Sequence, residues 1–172
     1  MPPPRRPSRS RAVLLGASAA CVLFAGCGAG SVVGGARTSA TRLVPPSPPP
    51  AARAYCASLA RELPARLGGL ARRAVIPSSP LTAAWGNPPI ALRCGVPLPA
   101  ALAPTAELTV VNGVAWFPQP AGSATPSLFT AVGREAYVEL GVPARYAPAG
   151  PILVAISNAI APAVPAKPGG RP

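Results

Sequence analysis

The chain has 172 residues, 27 of them proline, and it carries a formal charge of +12 with no histidine. Its four acidic residues are all glutamates. The sequence therefore lacks the partners of a Ser-His-Asp or Cys-His nucleophile system and the usual ligands of a zinc site. These absences argue against the common hydrolases and metalloenzymes, and no cofactor is predicted.

The positive charge is spread along the chain rather than gathered in one patch. Within residues 52–161, eight arginines stand against four glutamates, a modest surplus. Aromatic residues do not alternate with these arginines, which argues against a nucleic-acid partner because single strands are bound on aromatic stacking surfaces. An anionic membrane or wall surface outside the cell fits the surplus better.

The N-terminus has the three-part pattern of a secretion signal. Four arginines lie among the first 11 residues, an apolar run follows over 12–25, and the run closes on Gly26 and Cys27. Small residues directly before a cysteine resemble the bacterial lipobox, which implies lipid transfer to the Cys27 thiol and cleavage after Gly26. We therefore predict a lipoprotein signal peptide over 1–26 and a lipid-anchored protein on the extracytoplasmic side of the cell membrane.

Two alternatives stay open for this segment: an ordinary cleaved signal with a coincidental cysteine, and an uncleaved membrane anchor. The second needs a helix through a glycine-rich continuation that forms helices poorly. All three interpretations place the rest of the chain outside the cytoplasm. There we predict a Pro/Gly-rich tether over 27–51, a single domain over 52–161 and a disordered proline-rich tail over 162–172.

The cysteines predict one disulfide. Cys21 lies within the signal and Cys27 is the lipid acceptor, which leaves Cys56 and Cys94. In an oxidising compartment this pair forms a structural bridge. A metal or redox pair would need further ligands or a close C-x-x-C spacing, so we predict no metal site.

The domain begins with a predicted helix over 53–63, because apolar side chains recur there every four residues. Pro64 ends or kinks this helix. Alternation of apolar and other residues then predicts a strand whose inward-facing residues are Ile90, Leu92 and Cys94.

A β-hairpin is predicted around Asn112-Gly113, which lies between two β-rich runs. Both residues tolerate the positive φ that a two-residue type I′ turn requires. In that register Thr109 faces Trp116.

Gly133-Arg134 predicts a second hairpin, with a type II′ turn between strands over 128–132 and 135–140. Its inner face carries Phe129, Ala131, Ala136, Val138 and Leu140. An apolar stripe then predicts a last helix that Pro162 stops. Together these elements predict an α+β fold: a small, mostly antiparallel sheet of about four to five strands, with the N- and C-terminal helices on one face.

The segment around Trp85 is the best candidate for a ligand site. Trp85 offers a stacking surface, Asn87 an amide, and Arg93, which points away from the core, a fork for phosphate or carboxylate. The structural alternative is that Trp85 packs under the loop and Asn87 belongs to a turn. Glu135 and Glu139 lie ~13 Å apart along a strand, too far for a glycosidase pair.

Several motifs occur in order along the domain: Tyr55-Cys56, Thr82-Ala83-Ala84-Trp85-Gly86, Leu92-Arg93-Cys94-Gly95-Val96-Pro97 and Val111-Asn112-Gly113-Val114. Together they resemble an actinobacterial family of exported, mostly lipobox-bearing proteins catalogued only as a domain of unknown function. The resemblance covers about residues 53–160. It implies an envelope location and carries no activity or catalytic residue.

From these observations we expect a non-enzymatic module that binds or scaffolds an envelope protein on the outer face of the cytoplasmic membrane. The alternative is a binder of a small ligand, a cell-wall glycan or an anionic wall polymer, and an enzyme ranks third. The expected partners are the membrane, through the lipid on Cys27, and anionic lipid or wall polymer.

Overall fold

The computed structural model describes residues 40–170, so the predicted signal peptide, Cys27 and the last two residues lie outside it. Residues 36–172 form one compact unit. Its helices and strands are β1 (Thr41–Arg42), α1 (Pro50–Glu62), β2 (Arg66–Leu67), β3 (Leu70–Arg73), β4 (Val75–Ile76), β5 (Thr82–Trp85), β6 (Ile90–Val96), β7 (Thr109–Val111), β8 (Val114–Gln119), β9 (Leu128–Val132), β10 (Tyr137–Gly141) and α2 (Gly150–Ala163).

Eight strands form one antiparallel sheet in the order β2-β3-β5-β6-β10-β9-β8-β7, and a parallel pairing joins β1 to β4. The prediction of a mostly antiparallel sheet with two helices is confirmed, but the sheet is larger than the predicted four to five strands. The missed strands β2, β3 and β5 have two to four residues each, too few for a clear alternation. In β5 all four residues are buried, so apolar and polar residues do not alternate there.

Both helices pack on the same face of the sheet. One row of paired residues runs across four neighbouring strands from Cys94 on β6 to Trp116 on β8. At one end of the row Cys94 forms the predicted disulfide with Cys56 of α1, with Cα atoms 5.6 Å apart. At the other end the Trp116 Nε1 donates to the Ser157 hydroxyl of α2 at 2.9 Å. Directly paired residues share a face, so α1 and α2 cover the same side.

The two helices follow the predicted apolar stripes. In α1, Cys56 and Leu59 are fully buried, and the helix begins at Pro50 because proline is favoured in a first helical turn. In α2, four predicted core residues are buried: Ile152, Leu153, Ile156 and Ile160. Pro162 does not stop α2, because the helix continues one residue further and the Val164 N–H still donates to the Ile160 carbonyl at 2.9 Å.

The first hairpin has the predicted register and turn. Asn112 and Gly113 have φ of 48° and 75°, and Thr109 pairs with Trp116. Local turn chemistry was sufficient here because two residues with positive φ match the twist of the strands that they connect.

The second hairpin differs from the prediction. A two-residue turn at Gly133-Arg134 would pair Val132 with Glu135, but Ala131 pairs with Val138 instead. The connection is therefore longer than predicted, although the five predicted inner-face residues are all buried.

Arg134 explains the longer connection. Its side chain is buried, with Nη1 donating to the Val164 carbonyl at 2.6 Å and Nη2 to the Gly113 carbonyl at 2.9 Å. Its backbone pairs with Ala166, so this segment pairs with the C-terminal chain rather than with itself. Burial lowers the pKa of the Arg134 guanidinium, because desolvation disfavours the charged form.

The folded unit extends beyond the predicted limits of 52–161 at both ends. Thr41 and Arg42 pair with β4, so the end of the predicted tether is structured. Val164 is fully buried, and the Lys167 N–H donates to the Gly133 carbonyl at 2.9 Å. The predicted disordered tail therefore begins too early. Proline-rich chain packs in an extended conformation without apolar periodicity, so sequence patterns did not reveal these contacts.

Candidate functional site

The structure separates the three residues of the predicted ligand site. Trp85 pairs with Ile90 on the helix-covered face, is fully buried, and donates its Nε1 to the Pro64 carbonyl at 2.9 Å. Asn87 is exposed in the following turn, whereas Arg93 lies on the opposite face of the sheet. The combined site is therefore not formed, and Trp85 has the packing role of the structural alternative.

The sheet face opposite the helices carries a polar row at its centre. Arg93, Glu139 and Thr130 pair directly across β6, β10 and β9. The Arg93 Nε donates to Glu139 Oε1 at 2.7 Å, and Nη2 lies 2.7 Å from the same oxygen. Within residues 40–170, the Arg93 Nη1 and the Glu139 Oε2 make no hydrogen bond. Since the Arg93 and Glu139 side chains are 39% and 19% exposed, the pair has both accessible surface and unused hydrogen-bonding capacity.

A cleft opens beside this ion pair, between the ends of β6 and β10 and residues 44–49. We call residues 44–49 the proline strap, since four of its six residues are proline, and we call the opening the strap cleft. The strap cleft has a volume of about 640 Å³. Besides the strap, its lining comprises Ala52, Arg93, Gly95, Val96, Pro97, Glu135, Ala136 and Tyr137.

Gly95 allows the proline strap to lie close to the sheet. Its φ is +87°, a left-handed conformation that glycine adopts without a steric penalty. A Cβ built on Gly95 would lie 2.6 Å from Pro48 Cγ and 2.7 Å from Pro48 Cβ. The β6–β10 register also shifts here, so that Val96 pairs with Tyr137 and joins the polar face.

A smaller cavity of about 280 Å³ adjoins the strap cleft and shares Arg93, Val96 and Pro97 with it. Its other lining residues include Gln119, Thr130 and Glu139. The Thr130 hydroxyl is screened from solvent and has no hydrogen-bond partner among the described residues. Such a buried, unpaired hydroxyl is uncommon, because its desolvation is not compensated.

The far wall of the strap cleft carries Glu135 and Tyr137. The Glu135 carboxylate is partly exposed and has no hydrogen bond or ion pair within residues 40–170. The Lys167 ammonium donates to the Tyr137 hydroxyl and lies 4.4 Å from the centre of its ring. The wall therefore combines an unpaired carboxylate with an aromatic ring that already contacts a cation.

The described residues contain no group of three or more His, Cys, Asp or Glu side chains arranged to hold a metal ion. Over the same residues, no helix is both long enough and apolar enough to cross a membrane. The features of the strap cleft are those of a binding site: apolar proline walls, one ion pair and a few single polar groups.

Sequence reasoning identified Arg93 but missed the rest of this site. The proline strap was assigned to the tether, and Lys167 to the disordered tail. Glu135 and Glu139 were placed along one strand, which was the available signal. Nothing in their spacing showed that a remote proline-rich segment would cover one end of that strand.

Comparison with known proteins gives a family and no activity. The model of the family described as Protein of unknown function (DUF3515) matches residues 15–169, a longer stretch than the motifs alone cover. No curated protein and no solved structure matches the chain.

Proposed function

The chain belongs to the DUF3515 family, and we propose that it is a non-enzymatic binding module of the cell envelope. A lipid on Cys27 holds it on the outer face of the cytoplasmic membrane, and the strap cleft binds its ligand.

The observation that carries the binding role is the strap cleft itself. Its volume of about 640 Å³ lies within the ~300–1,000 Å³ range of small-molecule sites, which are mostly apolar with a few polar groups that orient the ligand. The proline strap and Val96 supply apolar surface here. Arg93, Glu135 and Tyr137 supply the polar groups.

The anchoring role depends on Cys27. In cells fed labelled palmitate, the wild-type chain should incorporate label and the Cys27→Ser chain should not. If the wild-type protein never takes up label, the lipid anchor is excluded and an ordinary signal or an uncleaved anchor replaces it.

Ligand binding in the strap cleft can be tested in living cells with a photo-crosslinking amino acid. Val44 lines the cleft and is 77% exposed, while Val110 on the edge strand β7 is 69% exposed and lies outside it. The crosslinker at Val44 should give a discrete adduct, and the crosslinker at Val110 provides a control of matched exposure. Equal labelling from both positions would contradict a ligand site in the cleft.

A further inference from the structure

We propose that the ligand of the strap cleft is a neutral, hydroxyl-rich saccharide, and that it extends into the smaller cavity that contains Thr130. This inference rests on the proposed function and specifies its ligand. The two cavities share Arg93, Val96 and Pro97, so they meet at the Arg93–Glu139 ion pair. A ligand longer than one cavity would run past this pair.

The charges around the groove that the two cavities form together favour a ligand without net charge. Arg93 is neutralised by Glu139. Glu135 is unpaired, but the Lys167 ammonium, which contacts Tyr137 of the same wall, carries the opposite charge. A phosphate or carboxylate polymer would meet two carboxylates and compete with Glu139 for Arg93, so the groove is poorly suited to an anion.

The unused hydrogen-bonding groups suit a ligand that both donates and accepts. Glu135 and the Glu139 Oε2 only accept, the Arg93 Nη1 only donates, and the Thr130 hydroxyl does both. A sugar carries several hydroxyls in fixed relative positions, and each of them is both donor and acceptor. A hydroxyl group in the smaller cavity would also supply the partner that Thr130 lacks.

The groove does not suit an extended peptide added as a strand. Both strands of its floor are already paired on each side, β6 with β5 and β10, and β10 with β6 and β9. On the opposite wall, the four prolines of the strap have no N–H to donate. Addition of a peptide strand requires a free row of N–H and C=O groups, and neither wall offers one.

The test uses residues 36–172, which form a compact unit that contains the buried core. We expect chitotetraose or maltoheptaose, two neutral oligosaccharides, to bind in titration calorimetry with an affinity that does not change with salt, because no net charge is screened. Glu135→Gln should weaken their binding about threefold, because a sugar hydroxyl donates a stronger hydrogen bond to a carboxylate than to an amide.

Thr130→Val keeps the shape of the side chain and replaces only the hydroxyl, by a methyl group. It should weaken binding about fivefold, the equivalent of one hydrogen bond, while the denaturant midpoint stays equal or rises because the hydroxyl has no protein partner. A merely structural Thr130 would lower the midpoint and leave the affinity unchanged. Thr105→Val, at an exposed loop position, is the matched control and should change neither.

The saccharide inference is overturned if neither oligosaccharide binds. It is also overturned if polyphosphate binds in a salt-dependent way and binds more tightly to Glu135→Gln, since removal of a carboxylate favours an anion. In both cases a Val44-specific adduct in cells would keep the strap cleft as a binding site, and only the ligand class would change. Loss of that adduct would refute the proposed function itself.

Discussion

Gly95→Ala tests whether the proline strap is held against the sheet as described. Two costs add at this position. A residue with a Cβ at φ of +87° destabilises the folded state by about 1–2 kcal/mol. The new Cβ would also lie 2.6 Å from Pro48 Cγ, and relief of such overpacking typically costs a further ~1–3 kcal/mol. We therefore expect the free energy of unfolding to fall by about 2–5 kcal/mol, a large share of the ~5–15 kcal/mol of an ordinary domain.

Gly113→Ala separates the two costs. Gly113 also has a left-handed φ, +75°, but a Cβ there would have no neighbour within 4 Å. Its replacement by alanine should lower the free energy of unfolding by about 1–2 kcal/mol, because only the backbone conformation is strained. Urea unfolding of residues 36–172 with the disulfide intact gives both values, and the excess for Gly95→Ala measures the Pro48 contact.

Pro48→Gly provides a second control, because it removes the side-chain atoms that the new Cβ would meet. In the Pro48→Gly background, Gly95→Ala should lower the free energy of unfolding by no more than Gly113→Ala does. A double-mutant cycle should then give a coupling energy of ~1–3 kcal/mol between positions 48 and 95. Equal losses for Gly95→Ala and Gly113→Ala in the wild-type background would refute the close approach. The strap would then not define the cleft.

Three further predictions follow from the packing and the charge. Replacement of both Cys56 and Cys94 by alanine should lower the free energy of unfolding by about 4 kcal/mol, the loop-entropy value for a separation of 38 residues; a loss below ~1 kcal/mol in urea unfolding would contradict it. Trp85→Phe leaves the Pro64 carbonyl without its donor and should cost about 1–3 kcal/mol without weakening ligand binding; reduced affinity at unchanged stability would restore a ligand role to Trp85. A non-acylated chain over residues 28–172 should bind anionic vesicles weakly at low salt, release them near physiological salt and ignore neutral vesicles; tight binding to both kinds in sedimentation assays would reveal an apolar membrane-contacting face.

The parts of the fold that sequence predicted are those fixed by local chemistry. Asn112-Gly113 specifies its turn by backbone conformation, and that turn sets the register of both adjoining strands. The spacing of Cys56 and Leu59 on α1, and the alternation that ends at Cys94 on β6, specify buried faces. The disulfide followed because only two cysteines remained for one pairing, and it joins those two faces.

The parts that sequence did not predict depend on partners far along the chain. Gly133-Arg134 has good local turn chemistry, yet the buried guanidinium binds the Val164 and Gly113 carbonyls, and these contacts override the short turn. Likewise β5 has no alternation because all four of its residues are buried. The local pattern reveals neither the Arg134 contacts nor the burial of β5.

The candidate site shows the same limit more strongly. Arg93 was identified as an outward-facing arginine, but its ion-pair partner Glu139 lies 46 residues away along the chain. The proline strap has no apolar periodicity, and it can approach the sheet closely only because Gly95 has no Cβ. Trp85 drew attention because exposed aromatic residues bind ligands, whereas this ring belongs to the core.

The proline strap is fixed at both ends by contacts within the folded unit. Before the strap, β1 pairs with β4, with the Leu43 N–H donating to the Ile76 carbonyl at 3.2 Å. After it, α1 begins at Pro50, and the disulfide ties that helix to Cys94, the residue directly before Gly95. These contacts hold the strap against the sheet from both sides. We therefore expect affinities measured on residues 36–172 to equal those of the full-length chain.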